Sequence, residues 1–310
     1  MRRTRARLLI LAALAAALAA SFAACKSDDA PGKPPRPSAR ERPSPEQVEG
    51  KISARLMTLA RWKERFPGPA RPYSFTVRRG DRQLVYCGLP HTSDPGDPFL
   101  VWMERRFSAF ARETAGKPRS ALVEGRVRKL RGSRGEAVRE SGGEGGLLTY
   151  LAHREGIPVE CPEPGWEDLF SRLREERDLD AICHAYRLRG HLLAARRGAP
   201  VGAGEIPDGS GPLAALGCDV SPLKLDEVHQ RLYGEPVSGR LDDAGLLARI
   251  TDPAGPGPVS EVMASDARVR DVAIAMEIWR RWGRGESVFA LFGAAHARMQ
   301  EPALREVLGR

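Results

Sequence analysis

Near the end of the chain, Ser287-Val288-Phe289-Ala290-Leu291-Phe292-Gly293 opens with five apolar residues among its first six. A continuous apolar run of strand length predicts a strand buried on both faces, as in the middle of a parallel sheet. Gln83-Leu84-Val85-Tyr86-Cys87 has the same character. With Tyr73 to Val77 ahead of it, across Arg79-Gly80-Asp81, it predicts a hairpin. Ala121-Leu122-Val123 and the stretch Gly156 to Pro164 read as two further strands. Helical spacing separates them. Val48, Ile52, Leu56, Leu59 and Trp62 predict one amphipathic helix, opened by a capping box at Ser44, Pro45 and Gln47. Phe99, Met103, Phe107 and Phe110 mark a second, Leu147 to Glu155 a third, and Val269 to Trp279 a long one before the last strand.

Strand–helix–strand alternation predicts an α/β fold, with a central, mainly parallel sheet flanked by helices. Around residues 166–260 the pattern is helical only, including Pro222 to Leu232 and Asp242 to Ile250, which predicts an additional helical segment inserted in one α/β domain of residues 44–310. Residues 126–146, rich in Gly, Arg and Glu, read as a long flexible loop that closes on Gly142-Gly143-Glu144-Gly145-Gly146, a stretch able to hug a ligand.

The amino terminus changes the charge picture. Arg2, Arg3, Arg5 and Arg7 precede an apolar run from Leu8 to Ala24 and then Cys25, the three-part pattern of a secretory signal over residues 1–24. Phe22-Ala23-Ala24-Cys25 resembles a bacterial lipobox, although Phe22 stands where Leu is usual. That resemblance implies acylation (palmitate among the chains) at Cys25 and a lipid membrane as partner. Residues 25–43, almost without apolar side chains, read as a disordered tether. Removing the signal lowers the formal net charge from +9 to +5. No basic run with interleaved aromatics remains, which argues against a nucleic-acid partner. The expected location is the cell envelope, lipid-anchored; Lys26-Ser27 lacks the Asp of inner-membrane retention and leans toward the outer membrane.

Cys87, Cys161, Cys183 and Cys218 permit two disulfides in an oxidising compartment, or stay as buried thiols; no Cys-x-x-Cys marks a zinc or redox site. His184 and His191 lie two helical turns apart, too far to share an ion without further ligands, and read as surface or core histidines.

Strand ends carry the chemistry. Gly88-Leu89-Pro90-His91 and Gly293-Ala294-Ala295-His296 each follow an apolar strand, and Glu124 and either Glu160 or Glu163 end the strands between them. In a parallel sheet all carboxyl ends lie on one side, so these side chains are expected to converge. Each motif glycine is expected to let the backbone turn sharply and approach a ligand. Two imidazoles and two carboxylates suit either a divalent ion that activates water or direct general-base catalysis.

Two Gly-x-x-His motifs with paired glutamates resemble the superfamily that joins erythromycin esterases, TraB/Tiki proteins and haem-binding ChaN lipoproteins. Arg270-Asp271 resembles the Arg-bearing helix before the last strand in TraB-like members. The resemblance implies a membrane-anchored hydrolase of peptide or ester bonds, with His91, Glu124, Glu163 and His296 as catalytic residues. His91, Glu124 and His296 would be the ligands if Mn²⁺ or Zn²⁺ is bound. Glu163 is preferred over Glu160 because it lies beyond the strand, between prolines; Glu144, Glu160 and Arg270 are secondary candidates. The alternatives it implies are a haem- or iron-binding lipoprotein, with the histidines or Tyr86 facing the porphyrin, and a scaffold for a protein partner.

Overall fold

A computed structural model describes residues 43–198, 202, 205 and 213–309. The signal, Cys25 and nearly all of the expected tether lie outside the described residues. The long apolar run becomes β5 (Ser287–Gly293), every position of which is buried. It is central because it pairs in parallel with two earlier strands, β2 (Arg82–Leu89) and β3 (Arg119–Val123). β1 (Tyr73–Arg79) adds to β2 as the antiparallel arm of the expected hairpin, and the two-residue β4 (Val159–Glu160) adds to β3. The order is β1-β2-β5-β3-β4, so the fold is α/β with a mainly parallel sheet, as the alternation predicts.

Alternation along β5 divides its side chains between two helical layers. Val288, Ala290 and Phe292 face α1 (Pro45–Arg55), α10 (Pro258–Gly283) and α11 (Ala294–Leu308), through Ile52, Ile274, Ile278 and Leu304. Phe289 and Leu291 face α3 (Pro98–Glu113) and α5 (Glu144–Arg154), with the Phe289 ring 5.1 Å from Phe107 and 5.6 Å from Phe110. Each such buried ring or aliphatic side chain contributes roughly 1.5–3 kcal/mol. α6 (Trp166–Arg174), α7 (Leu179–Arg196), α8 (Pro222–Tyr233) and α9 (Ala244–Ile250) form the helical segment. It has its own core of Leu169, Phe170, Ile182, Tyr186 and Leu247, and shares Val259 and Val262 with the start of α10. Among the described residues no helix is long and apolar enough to cross a membrane.

Several expectations change. The first helix is two: α1 ends at Leu56, whose backbone is extended, and α2 (Leu59–Arg65) begins because the Thr58 hydroxyl accepts from the Arg61 N–H at 3.2 Å. An N-cap threonine inside the apolar repeat offers the backbone a new start that periodicity alone does not reveal. The 126–146 stretch is not a plain loop, for it holds α4 (Arg134–Glu140) and the first turn of α5. The strand expected from Gly156 to Pro164 is reduced to Val159 and Glu160, because prolines at 158 and 162 remove ladder donors on either side. His184 and His191 keep to one of the two readings given for them, for both are buried in the core, and His184 Nε2 lies 2.9 Å from Nδ1 of His229.

Of the four cysteines in the body, Cys183 and Cys218 form a disulfide, while Cys87 and Cys161 are free. The bond ties α7 to the segment before α8 across a sequence separation of 35. A closed loop of that length is stabilising by about 2–4 kcal/mol. Replacing Cys183 and Cys218 together by serine is expected to lower the thermal midpoint, and reductant is expected to bring the parent protein to the same value. A midpoint unmoved by both treatments would remove the staple from the stability account.

Candidate functional site

The register of the sheet assembles the site. Leu89 stands opposite Gly293, and Val123 opposite Leu291, so β2, β5 and β3 end at nearly one level. The residues that follow each strand therefore meet: His91 after β2, Glu124 after β3, and His296 in the first turn of α11. His91 Nε2 and His296 Nε2 each lie 3.8 Å from the same atom, Glu124 Oε1. The other Glu124 oxygen accepts from the Gly293 N–H at 2.6 Å.

Each imidazole is held from behind by a carboxylate. His91 Nδ1 is 2.5 Å from Glu144 Oε1, and the second Glu144 oxygen accepts from the Thr92 N–H at 3.2 Å. His296 Nδ1 is 2.6 Å from Asp271 Oδ1, which also accepts from Gln300 Nε2 at 2.5 Å. The Gln300 carbonyl accepts in turn from the Tyr86 hydroxyl at 3.2 Å. The two dyads differ in setting. The His91 side chain is 66 % exposed, whereas that of His296 is 19 % exposed and its Asp271 only 3 %.

The motif glycines serve close packing. Gly88 lies within β2, where a Cβ would stand 2.9 Å from the Ala294 Cα and 2.7 Å from the Ala297 Cβ, so its bare backbone lets α11 dock on the sheet. The sharp turn expected at Gly88 is absent. Gly293 does approach the site: a Cβ there would face Glu124 Oε2, His91 Nε2 and His296 Cδ2 at 3.4–3.6 Å. Gly143, at φ 67°, admits the Thr92 carbonyl to within 2.0 Å of where a Cβ would be, which brings Glu144 onto the His91 loop.

Glu163 joins the same pocket. Its oxygens accept from the Gly125 N–H at 3.2 Å and from Arg270 Nη1 at 3.0 Å. Arg270 also reaches Asp266 at 3.1 Å. Glu160 does not take part. Its carboxylate is 58 % exposed and pairs at 2.5 Å with Arg281, because it lies inside β4 rather than beyond it. Tyr86 is also not at the surface of the site. It is fully buried between Phe75 and Phe292, so it cannot face a porphyrin. Sequence reasoning missed Asp271 as the partner of His296. A signal existed: Asp271 shares a helical stripe with Ile274, Ala275 and Ile278, all fully buried, and an acid in that phase needs a buried partner.

These environments set the protonation states. Burial opposes charge on His296, but Asp271 and then Glu124 overcome it and raise the pKa to about 9. The Glu144 hydrogen bond raises His91 above its ordinary 6.5. Burial alone would push Glu124 up, yet the two imidazoles and the Gly293 N–H hold it below the usual carboxylate range. Glu163 moves the opposite way, raised by burial despite Arg270. Carboxylates shifted apart beside imidazoles that favour their charged form are groups suited to moving protons.

Carboxylate-backed imidazoles are also how metal-ligating histidines are oriented, so the donor types would suit a divalent ion. Among the described residues no group of three or more His, Cys, Asp or Glu side chains is already arranged as a metal site. The pocket in front of His91, Glu124, Glu144 and Glu163 has a volume of about 690 Å³ and is also lined by Arg128, Arg189, Arg197 and Arg270. No family model, curated protein or solved structure matches the chain.

Changing Asp271 to Asn removes the anion that keeps His296 charged. The His296 midpoint, read by NMR titration, is expected to fall from about 9, since burial is then opposed only by the charges of Glu124 and Glu163. A folded-state pKa above the unfolded value of 6.5 stabilises fully below that pH and fades as the pH rises through about 9. The stability gap between parent and variant should therefore close over that window. A gap independent of pH would show that this pair does not set the proton.

Proposed function

We propose that the chain is a hydrolase of ester or amide bonds, tethered to an envelope membrane through acylated Cys25. The reading of the site rests on one observation: two carboxylate-backed imidazoles direct their Nε2 atoms at a single oxygen of Glu124 beside a substrate-sized cavity. The tether rests on the leader sequence alone.

The division of labour follows from the pKa shifts. His296, raised to about 9, keeps its proton at neutral pH and serves as a fixed positive charge. Glu124, held ionised and bonded to Gly293, is a weak base but anchors both rings. His91 lines the cavity and is the more exposed imidazole, so its neutral form is the base available to water. Water loses a proton to His91 Nε2 as its oxygen attacks the carbonyl carbon. The His296 imidazolium, set behind Glu124 rather than on the cavity wall, offsets at a distance the negative charge that develops on the carbonyl oxygen. Collapse breaks the bond to the leaving oxygen or nitrogen, which takes the proton from His91, and an acid and an alcohol or amine depart. Glu144 keeps the His91 ring oriented and offsets its transient charge. Glu163, paired with Arg270 at 3.0 Å, fixes that guanidinium at the cavity wall.

His91→Asn and Glu124→Gln are expected to lower kcat for a chromogenic ester by about 10²–10⁴-fold. The kcat/KM profile should be bell-shaped, rising as His91 loses its proton above pH 6.5 and falling as His296 does so near 9. The parent rate should survive EDTA. Loss with EDTA and recovery on Mn²⁺ or Zn²⁺ would transfer the activation of water to an ion, and ester and peptide turnover indifferent to both substitutions would sink the assignment.

A further inference from the structure

The cavity wall has a charge pattern that hydrolysis itself does not require. Its three carboxylates are each matched within the protein: Glu144 by His91, Glu124 by the two imidazoles, and Glu163 by Arg270. Four arginines line the same cavity. Arg270 is engaged by Glu163 and Asp266, and Arg189 reaches Asp266 at 3.5 Å. Arg128 is different. It has no carboxylate partner among the described residues, and its buried Nε has no hydrogen-bond acceptor there. An arginine nitrogen left without an acceptor where water is excluded costs free energy unless a ligand supplies one.

The glycine-rich stretch explains how Arg128 is held. A Cβ on Gly142 would stand 3.1 Å from Arg128 Nε, one on Gly145 3.4 Å from it, and one on Gly125 3.4 Å from Nη2. Three glycines thus form a slot that seats the guanidinium at the cavity, and side chains there would displace it. Arg189 lies on α7, and Arg197 just past its end, so the helical segment supplies both of these arginines to the wall. Guanidinium groups bind carboxylate and phosphate oxygens through paired N–H donors.

We propose that the substrate carries an anionic group, a carboxylate or a phosphate, which Arg128 grips while Arg189 and Arg197 flank it, leaving the scissile bond at His91 and Glu124. The anion is a recognition handle and is not itself cleaved. This rests on the hydrolase reading for the bond that is broken, but the anion site is testable without turnover.

Calorimetric titration of the full chain with succinate and, separately, inorganic phosphate tests it. One of the two should bind saturably, and which one identifies the class of anion. Binding should survive Glu124→Gln, weaken at least about tenfold in Arg128→Gln, and recover in part in Arg128→Lys, which keeps the charge but not the fork. Equal thermal midpoints establish that the Arg128 variants are folded. In parallel, p-nitrophenyl hemisuccinate should be cleaved with a lower KM than p-nitrophenyl butyrate, a preference that Arg128→Gln erases and Arg128→Lys in part retains. If neither anion binds, or if binding is indifferent to Arg128, the anion site is refuted even where ester cleavage persists. Anion binding with no cleavage of either ester would refute the hydrolase reading alone.

Discussion

The parallel pairing of β5 with both β2 and β3 is the constraint on which the site depends. These strands come from opposite ends of the folded unit, and only their shared register brings His91, Glu124 and His296 to one level. That register is held by burial. With every β5 residue inside, a slip of one position would exchange Phe289 and Leu291 with Ala290 and Phe292 between two differently shaped helical layers. Gly88 tightens the same arrangement by letting α11, which carries His296, rest directly on β2.

Around that framework the polar groups form two nested shells. Inside, the two imidazoles share one Glu124 oxygen; outside, Glu144 and Asp271 hold their far nitrogens. The outer pair determines the asymmetry of the inner one. Asp271 is buried and itself bonded by Gln300, so it acts at low effective dielectric and locks His296 in its charged form. Glu144, at the start of α5, backs an imidazole that is itself 66 % exposed, so His91 remains the imidazole that can exchange protons with water. Similar residues thus sit in different settings, set by burial and by the carboxylate behind each.

The helical segment has a core of its own, yet its contribution reaches the cavity as charge. α7 supplies Arg189, and Arg197 follows it, while Asp266 on α10 links Arg189 and Arg270. The sheet supplies groups suited to moving protons, and the segment supplies groups suited to holding an anion. Arg128, seated among glycines between them, lies where the two sets meet.

Much of this was legible from residue order. The apolar runs and helical spacing specify an α/β sheet, because hydrophobic period follows backbone geometry directly. The four strand-end residues were also legible, since a parallel sheet sends all its carboxyl ends to one side. What sequence could not supply were partners that depend on distance through space. Asp271 and Glu144 lie 25 and 53 positions from the histidines they hold, and no local pattern encodes such pairing. The choice between Glu160 and Glu163 needed the point where β4 stops, and the disulfide needed the packing of α7. Nor could periodicity show that Thr58 would end one helix and start another. The meeting of the closing strand's histidine with the other strand ends was therefore foreseeable. Its charge state was decided by tertiary structure, because desolvation and ion pairing exist only once the chain has folded around His296.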